Sequence, residues 1–220
     1  MKYIITIILL GPLLAVGQTK EEPVFGLKFY ASPSLSISRF QYDISPFSFT
    51  PSFTISKHEN RFFEFGFSQL NFTSRFFDNS NQLIRLYPEG QYNIRSGNIG
   101  IYAEQNYLLA KSKNEKWAFY LGPRVGLNFW RSNFNALNGD TGPNYNDLSL
   151  GIGMAPRICY NLTDRIGIDF SVPITYETSY RFGNDYDPNG FAYNTLPRFD
   201  GIYSRFAANA RFGLTIKLGK

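Results

Sequence analysis

The chain has 220 residues, a formal charge of +5, and 43% hydrophobic and 18% aromatic content, with 22 Phe and 15 Tyr. That length suits one domain; the single Cys159 excludes an intramolecular disulfide, and the singly scattered basic residues lack the stripe expected of a nucleic-acid binder. Mean hydropathy is only −0.24 because Ser, Asn, Gly and charges are interleaved with the apolar residues, a mixture that fits strands with one greasy and one polar face.

Lys2 precedes an apolar run over 4–16 broken only by Thr6, Gly11 and Pro12. At about 13 residues the run is too short for a spanning helix, and Ala15-Val16-Gly17 supplies small residues before Gln18, so 1–17 reads as a signal peptide. No Cys lies near that point to carry a lipid. Residues 18–24 read as a periplasmic leader and 25–220 as one domain.

From residue 25 the side chains alternate. Phe25, Leu27, Phe29, Ala31, Leu35 and Ile37 oppose Gly26, Lys28, Tyr30 and four serines. A period of two over such a length marks a strand between two environments. The pattern recurs over 61–72, 82–95, 99–111, 117–130, 148–160, 165–177 and 204–218, which gives eight strands. Residues 47–56 also alternate, through Phe47, Phe49, Phe53 and Ile55, so ten strands is the runner-up count. Pro33, Pro88, Pro123, Pro156 and Pro173 fall inside these segments, where each removes a ladder donor and predicts a bulge or break. With the N-terminus periplasmic, the connections 73–81, 112–116 and 161–164 fall on one side and 39–60, 96–98, 131–147 and 178–203 on the other. Short turns on one side and long loops on the other are the asymmetry of outer-membrane barrels.

Alternation alone leaves open which face is inside. Three features turn the apolar face outward. The polar face carries mid-strand charges beside glycines, which suits a narrow filled lumen. The apolar face is nearly free of charge, as hydrocarbon requires. Large aromatics also stand near strand ends, with Phe25, Trp117, Tyr160 and Phe212 at one rim and Tyr92, Phe129 and Tyr176 at the other. An open edge in lipid would leave backbone groups unpaired, so the sheet must close. The expectation is an all-β, antiparallel, up-and-down transmembrane barrel in the bacterial outer membrane. A second reading, a secreted lipocalin-like barrel, would use the same alternation with the greasy side inward to hold an apolar ligand.

The expected lumen charges are Lys28, Glu64, Arg85, Glu89, Glu104, Arg124, Arg157, Asp169, Glu177, Arg205, Arg211 and Lys217. A hairpin centred on Asn114 sets Glu104 opposite Arg124, and one centred on Thr163 sets Arg157 opposite Asp169. Such pairs would neutralise each other as a plug, where an unpaired charge is costly. His58, the sole histidine, is placed in the first external loop as a solvated residue. An outer-membrane enzyme built on it is the distant alternative, since no Ser or Asp spacing supplies a nucleophile and its base. No catalytic, cofactor or metal residues are assigned: one His and one Cys, far apart, cannot close a zinc site, and Asp185-Tyr-Asp187 reads as a solvated tip. Cys159 reads as a small packing residue of the lumen. Asn71-Phe-Thr73 and Asn161-Leu-Thr163 match a glycosylation sequon, the second reading as a turn.

The signal peptide ending before Gln18, Tyr120-Leu-Gly-Pro-Arg-Val-Gly126, Gly151-Ile-Gly153 and Phe212-Gly-Leu-Thr-Ile-Lys-Leu218 together resemble the small Bacteroidetes outer-membrane β-barrel proteins often called porin-family. The resemblance covers 25–220. It implies outer-membrane lipid as surroundings, a barrel assembly machinery for insertion, and no catalytic residues or cofactors to carry over. The aromatic, Asn- and Gly-rich loops 131–147 and 178–203 are the places for an extracellular ligand. The role expected is structural, adhesive or concerned with a small solute.

Overall fold

The computed structural model describes residues 24–38, 41–58, 60–78, 91–136, 141–184 and 201–218. The signal peptide and all of the leader except Val24 lie outside them. Twelve strand segments follow in order: β1 (Val24–Ser38), β2 (Gln41–His58), β3 (Arg61–Asp78), β4 (Gln91–Lys111), β5 (Trp117–Leu121), β6 (Pro123–Ala136), β7 (Thr141–Met154), β8 (Arg157–Asn161), β9 (Ile166–Ser171), β10 (Ile174–Asn184), β11 (Gly201–Ala208) and β12 (Arg211–Leu218). Each of β5/β6, β7/β8, β9/β10 and β11/β12 is one long strand broken near its middle. The sheet is therefore an eight-strand antiparallel meander, and β12 pairs back onto β1 to close it.

The packing is inverted relative to a soluble protein. Among the described residues the buried hydrophobics are only Tyr30, Tyr102, Ala118 and Ala155, while Lys28, Glu64, Glu104, Arg157, Asp169 and Arg211 are buried with many Ser and Thr. Phe29, Phe53, Phe65, Leu127, Leu150, Ile152, Ile168 and Leu214 are exposed. Water would not tolerate that belt, and hydrocarbon would not tolerate the reverse arrangement. The lipocalin-like reading is thereby excluded, because its ligand core would have to be apolar.

The strand count of eight holds, but two of its segments are corrected. Residues 41–58 form a full strand, so 47–56 belongs to an extra strand beyond the eight segments and not to the 39–60 connection. Segments 82–95 and 99–111 are not two strands: β4 begins at Gln91 and runs unbroken to Lys111, and 96–98 pairs on both sides instead of turning. The Arg95-Ser-Gly-Asn98 tetrapeptide has turn chemistry, but β3 and β6 supply its backbone partners. The remaining connections are re-sorted accordingly. The strand ends at His58 and Arg61, Lys111 and Trp117, and Asn161 and Ile166 share one mouth; those at Ser38 and Gln41, Asp78 and Gln91, Ala136 and Thr141, and Asn184 and Gly201 share the other. Residues 73–78 climb toward the second mouth within β3 and are not a periplasmic turn. His58, the last residue of β2, stands at the short-turn mouth, opposite to its expected place. Pro88 and the Asp185–Asp187 tip lie outside the described residues.

The short turns are held by local side chains. Ser112 Oγ donates to Asn114 Oδ1 at 2.6 Å and accepts from Trp117 N at 3.0 Å, while Glu115 takes a φ of 57° to close the loop. Thr163 Oγ1 accepts from Arg165 N at 3.2 Å and Ile166 N at 3.0 Å, so the Asn161-Leu-Thr163 sequon is a tight turn.

Prolines set the breaks. Pro123, Pro156 and Pro173 stand abreast on neighbouring strands, and single bonds bridge the gaps: Ala155 N to Gly122 O at 2.8 Å, Val172 N to Pro156 O at 3.1 Å and Asn209 N to Pro173 O at 3.2 Å. The register is unchanged across this row, since Met154 pairs with Ile174 above it and Arg157 with Ser171 below. Ala31 pairs with Phe212, which brings Pro33 level with Ala210 at the end of the same row. At Pro33 the β1–β2 register shifts, and among the described residues no pairing joins β11 to β1 beyond it.

Candidate functional site

The lumen is crossed by one ionic cluster. Every odd-or-even alternation that exposes a Phe or Ile to the outside aims its neighbour inward, and seven strands deliver a charge or phenol to the same level. Arg157 is its hub. Its Nη1 donates to Glu64 Oε2 at 2.5 Å and Asp169 Oδ2 at 2.9 Å, and its Nη2 to Glu104 Oε2 at 2.5 Å. Lys28 Nζ bridges Glu64 at 3.0 Å and Asp169 at 2.8 Å. Arg211 Nη2 donates to Glu104 Oε1 at 2.7 Å, and Arg124 donates to the same oxygen. Four cations thus surround three carboxylates, all nearly inaccessible.

Two phenols complete the cluster. Tyr102 donates to Glu64 Oε1 at 2.5 Å, and Tyr30 lies 3.0 Å from the same oxygen. Their rings also take the faces of guanidinium groups, with Arg124 3.9 Å from the Tyr102 centroid and Arg211 4.7 Å from both rings. Tyr30 needs Gly213 opposite it: a Cβ there would sit 2.6 Å from the Tyr30 ring. Bidentate and stacked contacts suit Arg better than Lys, which explains three of the four cations.

Of the expected lumen residues, Lys28, Glu64, Glu104, Arg124, Arg157, Asp169 and Arg211 meet in this cluster. Glu177 and Arg205 form a separate pair at 2.8 Å toward the loop mouth. Lys217 lies on the lumen-facing set near the other end, paired with Gly26. Arg85 and Glu89 lie outside the described residues. Glu104 stands directly opposite Arg124. Arg157 does not stand opposite Asp169: it pairs with Ser171, and Asp169 with Cys159, because the turn is displaced by one residue. The ion pair forms on the diagonal instead, and Cys159 Sγ lies 3.3 Å from Asp169 Oδ2.

Among the rim aromatics, Trp117 and Tyr160 touch at 4.5 Å between centroids at the short-turn end, and Phe25 is exposed at the same end on the opposite wall. Phe129 and Tyr176 are exposed on the belt toward the loop side. Phe212 is displaced from the rim, six residues in from the end of β12, where it packs 4.7 Å from Phe170. Tyr92 lies on the same unbroken strand as Tyr102 and Glu104, because β4 does not turn at 96–98, and its side chain lies outside the described residues. Tyr102, and the Asp147–Arg181 pair at 2.6 Å, were not singled out from sequence; carrying the period of two outward from Glu104 and Ser149 finds them. Among the described residues no group of three His, Cys, Asp or Glu could hold a metal ion.

A closed meander with an apolar outside and an ionic inside is a membrane-spanning β-barrel, the fold of small bacterial outer-membrane proteins. No protein-family model matches the sequence, and no curated protein matches it. Solved structures do. The chain is similar to Ail, the attachment invasion locus protein of Yersinia pestis, at 12% identity and a TM-score of 0.50 over 91% of this chain and 100% of that one. The same protein in complex with the heparin analogue sucrose octasulfate gives 13% identity and 0.51 over the same shares. Acinetobacter baumannii CarO aligns at 10% identity and 0.44 over 88% and 97%. At these identities the likeness shows the fold alone.

Proposed function

We propose that this chain is a non-enzymatic protein of the bacterial outer membrane, a plugged barrel that holds long hairpins beyond the membrane for adhesive contact. The single observation that carries this reading is the ionic cluster: it fills the lumen of a barrel whose strands continue well past it on one side. From Leu70↔Ile99 the β3–β4 ladder runs on to Asp78↔Gln91, about 20 Å along the barrel axis for a strand tilted some 40°. The expected loop 131–147 is largely such a ladder, the described ends of 178–203 continue β10 and β11 in the same way, and both loops are the proposed place for an extracellular ligand. Solute passage would require the cluster to part, against several kilocalories of paired charge.

The resemblance of its strand phrases supports placing it with the Bacteroidetes-type, porin-family barrels, inserted by a barrel assembly machinery into outer-membrane lipid. The plug is tested by planar-bilayer recording of the purified protein, for which no steady current is expected; a sustained open-channel current would overturn it. Adhesion is tested by displaying the chain on cells and replacing the β6–β7 ladder above Phe129 with a two-residue turn, which should abolish adherence.

A further inference from the structure

At the loop-side edge of the apolar band, the outer surface of β4 and β6 carries two neighbouring cations. In β4 the outward set from Leu109 to Ile99 is apolar apart from Gln105, and in β5/β6 it is apolar from Trp117 to Phe129. These stretches span about 25–30 Å along the axis, the height of an outer-membrane apolar band. The next outward positions are Gly97 and Arg95 on β4, and Arg131 and Asn133 on β6. Gly97 pairs with Arg131 and Arg95 with Asn133, so the two guanidinium-bearing residues are diagonal neighbours with Cα atoms about 7–8 Å apart.

Both arginines are exposed, and no described carboxylate pairs with either. Arg131 Nε donates only to Asn133 Oδ1, at 3.0 Å. Like charges placed diagonally on one face repel, so they are held there at a cost unless an anion sits between them. Beneath them lies a groove of about 560 Å³ lined by Phe72, Ser74, Gly97, Ile99 and Phe129 together with both arginines. Gly97 forms its floor: the Phe72 ring would lie 3.1 Å from a Cβ at that position.

We propose that this groove binds a phosphorylated lipid of the outer leaflet, its phosphate between Arg95 and Arg131 and an acyl chain along Phe72, Ile99 and Phe129. Charge complementarity and depth both favour that occupant: guanidinium groups suit phosphate oxygens, and the site stands at headgroup height directly above the apolar band. A free anion would have no use for the aromatic floor. The inference rests on the membrane-spanning reading, whose failure would show separately as a barrel soluble without detergent.

The test uses full-length mature protein mixed with phosphatidic acid and phosphatidylcholine in detergent micelles, with bound lipid counted by native mass spectrometry. Wild type should retain phosphatidic acid over phosphatidylcholine by roughly tenfold, equivalent to about 1.4 kcal/mol. Arg95→Gln/Arg131→Gln should reduce the preference to near unity while keeping the gel-mobility shift of a folded barrel. Lys113→Gln, in the opposite turn, should leave it intact. If the double variant fails to fold, wild type at about 1 M salt provides the readout, since screening there falls to a few ångströms and the preference should collapse. Undiminished preference in the double variant, equal loss in Lys113→Gln, or displacement of the lipid by inorganic phosphate alone would each overturn the proposal.

Discussion

Replacing Glu104 by Gln tests whether the lumen is held by charge balance or merely filled. Glu104 is 1% exposed and serves three cations: Arg124, Arg157 at 2.5 Å and Arg211 at 2.7 Å. With its charge gone, four cations face only Glu64 and Asp169, and the surplus of one positive charge becomes two. Arg157→Met acts in the opposite sense, leaving three cations against three carboxylates. Glu64 and Asp169 then still share Lys28 at 3.0 and 2.8 Å. Removing one partner of a buried pair costs about 3–5 kcal/mol, so Glu104→Gln belongs near 5 and Arg157→Met near 3. Urea unfolding in lipid vesicles, followed by the gel-mobility shift, measures both. The reasoning is refuted if Glu104→Gln lies within about 1 kcal/mol of wild type, or is the milder of the two. Adding Arg124→Gln to Glu104→Gln should restore part of the loss, as contacting residues couple.

Ile152→Arg, on a belt position 59% exposed, should destabilise the vesicle-inserted barrel by about 2–4 kcal/mol, measured by the same urea titration; no effect would mean that water surrounds that face. Gly213→Val should displace the Tyr30 ring and cost about 1–3 kcal/mol by overpacking, and a loss absent in Gly213→Val but present in Tyr30→Phe would place the strain elsewhere. Planar-bilayer recording of Arg157→Ala/Arg211→Ala should reveal brief openings absent from wild type; silence in the double variant would assign closure to the remaining side chains.

The alternation of Phe and Leu with Ser, Gly and charge made the strands, their outward face and most of the lumen set legible, because a membrane barrel writes its two environments directly into a period of two. Boundaries were harder. The 41–58 strand was obscured because an extra residue between Ser45 and Ser48, where its register against β1 shifts, breaks its period of two, and β4 was split because Ser96-Gly97-Asn98 carries turn chemistry that two neighbouring strands overrule. A one-residue displacement at the 162–165 turn moved Arg157 from opposite Asp169 to diagonal to it, yet the long guanidinium arm still reached. Hubs of this kind, with one Arg touching three strands at once, depend on barrel closure, and closure brings β8 to β3 across sequence separations that no local pattern encodes.

The row of Pro123, Pro156 and Pro173, which crosses three neighbouring strands without altering their pairing, divides the barrel into an inner storey and an outer one. Since side chains keep their faces under any two-residue shift, hairpin tips can grow or shrink in even steps while the ionic floor stays in place, so the surface shown to the outside can be rewritten without re-solving the foundation beneath it.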